Sequence, residues 1–316
     1  MNPAPALSTS WCSQRHSDGY AMLREIADLG FERVELSHGI RITLVPGILK
    51  AVEDGLVKVG STHNFCPLPM GVQHAAPNFF QPSSADDRER EQWVRQTKKS
   101  IDFAAQVGAT VVVCHLGSVR YFWLLPDRKL EAYRRDHPEA ALSGDKAYRA
   151  MVEKALLKIR RRMAPSWERT RESVVSVLDY AAEKKIRLGL ENRERFEELP
   201  VDADFPDLLS GMPAPAPVGY WHDSGHAYLK EAMGLIDHRR QLEANSDRLL
   251  GFHLHDVDSE GHDHQPIGSG SVDFEMLSGF WRPGHLFIIE LSPRVAAEGV
   301  RSSKARVEAL LAGMGT

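Results

Sequence analysis

The chain has 316 residues, 42% of them hydrophobic and 26% charged, with a formal net charge of -4. That composition suits an ordinary soluble protein with a large core and supplies no global basic field for nucleic acid. No apolar run is long enough to span a bilayer, and Met1-Asn2-Pro3-Ala4-Pro5-Ala6 lacks a cationic segment followed by an apolar one. A cytoplasmic location is therefore the expectation, with no membrane partner.

In chain order, short β-branched runs predict strands at 7–11, 33–37, 57–63, 110–115, 186–191, 218–223, 249–255 and 286–291. Longer amphipathic segments between them predict helices at 17–28, 45–53, 86–107, 146–184, 204–209, 226–244, 273–277 and 295–311. Ser17-Asp18 reads as a helix N-cap, as does Ser83-Ser84 with the acidic turn that follows it. Strict alternation of strand and helix predicts parallel pairing, and eight strands close a barrel. The expected fold is one (β/α)8 TIM barrel over residues 1–316, with a helical insertion after strand 4 at about 120–165. That insertion is rich in Lys and Arg and densest at Arg160-Arg161-Arg162; such a run is usually a solvated helix face. Cys12, Cys66 and Cys114 are odd in number and widely spaced, which argues against a disulfide framework or a thiolate zinc knuckle.

Polar ligand types close one predicted strand after another. His63, His115, Glu191, Asp223, His253 and Glu290 each end a short, largely apolar run, and parallel barrels build their sites from the C-terminal ends of several strands. Residues two apart share a strand face, so His115 continues the column of Val111 and Val113, Glu290 that of Ile288, and Glu191 that of Gly189. His226 opens the helix after Asp223, and His262 and His264 follow in a loop. His222 should point away from Asp223 and is left out of the site.

Four segments in order carry a family resemblance: Leu190-Glu191-Asn192-Arg193, Trp221-His222-Asp223-Ser224-Gly225-His226-Ala227-Tyr228, Phe252-His253-Leu254-His255-Asp256, and Pro266-Ile267-Gly268-Ser269-Gly270-Ser271-Val272-Asp273-Phe274. Together they resemble the xylose isomerase-like TIM-barrel superfamily, which holds sugar and sugar-phosphate isomerases and epimerases and, in a related branch, endonuclease IV. The resemblance implies a central divalent-metal site at Glu191, Asp223, His253 and Glu290. His253 is preferred to His255 because the superfamily places its ligand three residues before the Asp; both histidines share a strand face, so the residues alone leave that choice open. A carboxylate-rich set with one imidazole suits Mn, Mg or Zn. His63 and His115 match positions that bind another zinc in the endonuclease branch. His226 and His262-x-His264 match a third site there, with His replacing the branch's Asp; Asp263 can substitute for it through a small shift of the loop.

Two enzymatic readings follow. In the leading one, a sugar or sugar-phosphate isomerase or epimerase, Glu191 and Glu290 act as catalytic base and acid through a metal-stabilised enediolate. His226, His63, His115, Arg193 and Arg294 then bind substrate, and Trp11, Phe65 or Trp221 packs on the apolar sugar face. The alternative is an endonuclease IV-like phosphodiesterase with two or three Zn ions. The Glu191-Asn192-Arg193-Glu194-Arg195 segment departs from the small-residue stretch of that branch, and DNA-reading loops are not evident. A non-catalytic metal- or ligand-binding barrel is the third reading. A small carbohydrate or phosphorylated partner is expected, a homo-oligomer is compatible with the sequence, and nucleic acid is unlikely as a partner.

Overall fold

The computed structural model describes residues 3–121, 127–137 and 145–313. In chain order its elements are β1 (Ala6–Ser8), α1 (Gly19–Asp28), β2 (Arg33–Leu36), α2 (Val45–Glu53), β3 (Lys58–His63), α3 (Asp87–Gln106), β4 (Val111–Cys114), α4 (Asp127–Asp136) and α5 (Lys146–Glu183). There follow β5 (Arg187–Glu191), α6 (Phe205–Ser210), β6 (Val218–Asp223), α7 (Ser224–Ala232), α8 (His238–Asn245), β7 (Leu249–Leu254), α9 (Phe274–Ser278), β8 (Leu286–Ile289) and α10 (Ala297–Ala312). The strands pair in parallel in sequence order, and β8 returns to β1 to close the barrel.

The eight-stranded barrel matches the expected fold, and its deviations have local causes. The first strand stops at Ser8 rather than residue 11, because the Ser8 hydroxyl accepts from the Ser10 amide and turns the chain into a short 3-10 helix at Thr9–Trp11. The helix expected at 226–244 is two helices: Gly234 at φ +69° breaks the first, and the Asp237 side chain caps the second. α3 is capped by Asp86, while Ser84 bonds Glu89 instead. The insertion consists of α4 and the long N-terminal part of α5, with residues 122–126 and 138–144 outside the described set. Two members of its Arg triplet meet ordinary surface partners. Arg160 pairs with Asp204 at 3.2 Å, and Arg162 lies over the Tyr121 ring.

Inside the barrel, Ala6, Val111, Val113, Trp221, Leu250 and Ile288 form a separate apolar cluster. Trp221 is fully buried there because its neighbours are small: a β-carbon on Gly251 would lie 2.6 Å from the indole, and one on Gly189 3.1 Å. Branched side chains filling alternate layers leave a packed core instead of a pore. This overturns Trp221 as a platform for substrate. Trp11 and Phe65 are also core residues, 3% and 0% exposed, with the Trp11 indole donating to the Val295 carbonyl. All three cysteines are buried and free. Among the described residues no helix is long and apolar enough to cross a membrane.

Candidate metal centre and substrate pocket

Above the apolar layer the inward columns turn polar. Glu191 and Asp223 end β5 and β6, His253 is the penultimate residue of β7, and Glu290 follows β8 by one residue. Each of the four offers one ligand atom, and those atoms lie within 4.8 Å of one another. All four side chains are buried. The spacing of Asp223 and His226 has a conformational cause: Asp223 caps α7 and accepts from the His226 amide at 2.8 Å. The cap satisfies a helix-end donor and fixes the carboxylate at the barrel mouth.

His253 is aimed by a residue the strand pattern did not single out. Its Nε2 lies 3.1 and 3.2 Å from the two Glu35 oxygens, while its Nδ1 faces Glu191 at 2.8 Å and Glu290 at 3.1 Å. Glu35 is fully buried on β2 and accepts from the Ser8 and Ser61 hydroxyls. An imidazole donating one nitrogen to a carboxylate and turning the other to a cage is the usual arrangement around a ligated metal. Burial works to lower the His253 pKa, but Glu290, Glu35 and Glu191 together hold it well above the usual histidine value. A cage with this surplus of carboxylate suits a divalent cation.

His255 does not compete for that cage. Its Nδ1 accepts from the His264 amide at 2.9 Å, which places the proton on Nε2, 3.0 Å from an Asp223 oxygen. Both nitrogens are thus committed, and His255 orients Asp223. The next residue, Asp256, accepts from the amides of Gly268, Gly270 and Val272 at 2.9 to 3.0 Å. Gly270 is required by close approach, since a β-carbon would lie 2.0 Å from the Val257 carbonyl oxygen. These bonds tie down the loop that carries Asp263 and His264.

A second cluster shares Glu191 with the first. His63 and His115 turn Nε2 toward Glu191 Oε2 at 3.4 and 2.8 Å, while their Nδ1 atoms face the Asn64 carbonyl and the Asn78 side-chain oxygen. Burial, with Arg193 adding to it, pushes His115 down to about 3. Neutral imidazoles that donate through Nδ1 present Nε2 lone pairs to the carboxylate, a geometry suited to a cation between them. The Arg193 guanidinium already lies on the same oxygen, at 3.2 Å, and also binds Glu198 at 3.2 Å. Burial favours the neutral form of Glu191, yet the Arg193 guanidinium above all holds its carboxyl well below the usual carboxylate range.

His226 lies beside this cluster, 3.3 Å from Arg193 and 3.8 Å from Asp263. His264 reaches its edge and is held by Asp263 at 3.0 Å. His262 is not brought in: its side chain is 65% exposed and bonds Asp258, so Asp263 is the loop residue that faces the pocket. Local backbone turns decide that register, and spacing alone does not show them. Arg294 is exposed and lines an outer cleft. His222 points outward, bonded to Tyr220 and His238. His38 and Glu194 line the inner cavity without having stood in the expected ligand set, beside Asp263, the substitute that a loop shift offered; His38 sits two residues past β2, a strand-end position like the others.

A family model described as a xylose isomerase-like TIM barrel matches residues 23–302. Solved structures of similar fold include an L-ribulose 3-epimerase, with TM-score 0.67 and 15% identity over 99% of this chain and 95% of that one. A 3-keto-D-glucoside 4-epimerase from E. coli has TM-score 0.66 and 15% identity over 97% and 99%. A D-tagatose 3-epimerase-like protein has TM-score 0.65 and 17% identity over 98% and 97%. At these identities the likeness is one of fold. No curated protein matches the sequence.

Proposed function

The chain belongs to the xylose isomerase-like TIM-barrel family, and from that membership we propose that it is a divalent-metal-dependent sugar isomerase or epimerase. The observation that carries this reading is the pair of buried carboxylates, Glu191 and Glu290, that reach one small cavity from different walls of the barrel beside Asp223 and His253. The epimerase names of the structural neighbours agree with it.

Glu191, Asp223, His253 and Glu290 would hold the cation, which supplies Lewis-acid polarisation of a substrate carbonyl. The protein's own groups do the rest. One of the two glutamates takes the proton from the carbon next to the carbonyl, and the other returns a proton from its own side. Arg193, fixed by Glu191 and Glu198, orients substrate oxygens and keeps Glu191 ionised. His63, His115 and His226 offer hydrogen-bonding nitrogens around the cavity. The test is deuterium at the carbon next to the carbonyl: it should wash out into water with a true substrate. Retention of label across a broad ketose and aldose panel would refute the reading.

A second reading, a multinuclear zinc phosphodiesterase, is favoured by the His63–His115–Glu191 cluster. Against it stands Arg193, whose charge occupies the same Glu191 oxygen that a second cation would need. Elemental analysis separates the two: one equivalent of metal per chain fits the isomerase, two or three zinc equivalents the hydrolase.

A further inference from the structure

The inner cavity is only part of the space at the mouth. It measures about 240 Å³, below the ~300–1,000 Å³ typical of pockets that enclose a drug-sized ligand. Beside it, over the ends of β1, β2 and β8, lies a cleft of about 1000 Å³. His38, Asp263, His264 and Glu290 line both, so the two form one space that narrows at these residues. A free monosaccharide reaching Glu191 and Glu290 would leave the outer cleft empty.

The outer wall is polar without being cationic. Ser10, Ser13, Gln14 and Ser302 supply hydroxyls and an amide, and Arg294, the single Arg or Lys among the described lining residues, shares that wall with Glu298. A phosphate there would find one guanidinium with a carboxylate on the same wall. A neutral polyhydroxylated group would find partners. At the neck, the His38 ring rests edge-on against His63, with centroids 4.7 Å apart.

Resting on the carbohydrate reading above, we infer that the substrate is a sugar carrying a second neutral polyhydroxylated group, as in a disaccharide whose reacting sugar keeps its carbonyl. Its reacting ring occupies the inner cavity and its second group the outer cleft. The hydroxyls and the amide of the outer wall bind the second group and set the preference for the larger molecule.

The test is calorimetric binding of free ketoses and aldoses, and of disaccharides with a free reducing end built from them, to the metal-loaded protein, with label exchange measured in parallel. At least one disaccharide should bind tenfold or more tighter than its free component. Gln14→Ala, on the outer wall and outside the inner cavity, should shrink that advantage while changing monosaccharide affinity by less than twofold. Ser302→Tyr, which fills the outer cleft away from the metal cage, should disfavour the disaccharide alone. Equal affinity for free and linked sugars, or tighter binding of sugar phosphates, overturns the inference while leaving the isomerase reading standing. No sugar binding and no exchange at all removes that reading, and the inference with it.

Discussion

Glu35 and His253 meet inside the barrel, with His253 Nε2 3.1 and 3.2 Å from the two carboxylate oxygens, both side chains fully buried. The contact sets which imidazole nitrogen faces the cage. Glu35→Gln should therefore weaken metal binding by about 10- to 100-fold, the usual consequence of losing such a partner. A metal titration with a competing chelator reads the change directly; an unaltered affinity would remove Glu35 from the metal's support.

Glu290→Gln removes one proton-transfer group and keeps its shape. Turnover should fall by about 10² to 10⁴, with the circular dichroism spectrum and melting temperature close to those of the parent. Wild-type activity in this variant would sink the assignment of Glu290.

His115→Ala separates the two chemical readings. For an isomerase it should raise KM and leave metal content at one equivalent, because His115 then only borders the cavity. Loss of a zinc equivalent would instead place His115 in a second metal site.

The outward His222–His238 pair predicts acid lability away from the site. Burial depresses His238 to about 4, below the usual histidine value of 6.5. A depressed folded-state value means that the unfolded chain takes up the proton first, so stability is full above about pH 6.5 and declines as pH falls toward 4. The decline attributable to His238 is at most about 3 kcal/mol. Urea midpoints at pH 7.5 and 4.5 should differ less in His238→Gln than in the parent; parallel pH curves would count against this source of lability.

Gly251→Ala should destabilise the barrel by about 1–3 kcal/mol. The new methyl would lie 2.6 Å from the Trp221 ring and 2.7 Å from the Leu286 carbonyl oxygen, and neither backbone nor buried indole has room to retreat. Pairing it with Trp221→Leu should recover part of the loss, since the second change removes one of the two collisions; strictly additive losses would contradict the packing account.

The barrel and the strand-end column were legible because both follow from residue periodicity. Glu191, Asp223, His253 and Glu290 interrupt apolar runs where parallel strands end. Glu35 was not legible by the same rule: in Arg33-Val34-Glu35-Leu36 it reads as the polar member of an alternating strand, and only the closed barrel shows that this face has no solvent. His255 was indistinguishable from His253 until the His264 amide fixed its tautomer. The exchange of His262 for Asp263 depends on a loop turn with His264 at φ +55°, a conformation no spacing rule reveals. Met233-Gly234 did carry the signal for the break between α7 and α8, which helical periodicity across residues 226–244 obscured.

Trp221 and its apolar neighbours seal the barrel beneath the metal cage, and that seal governs molecular traffic. Whatever reaches Glu191 and Glu290 enters and departs through the same opening, so product must clear the neck at His38 before the next substrate can pass. A molecule wedged in the outer cleft, without touching the cage, would therefore halt arrival and release together.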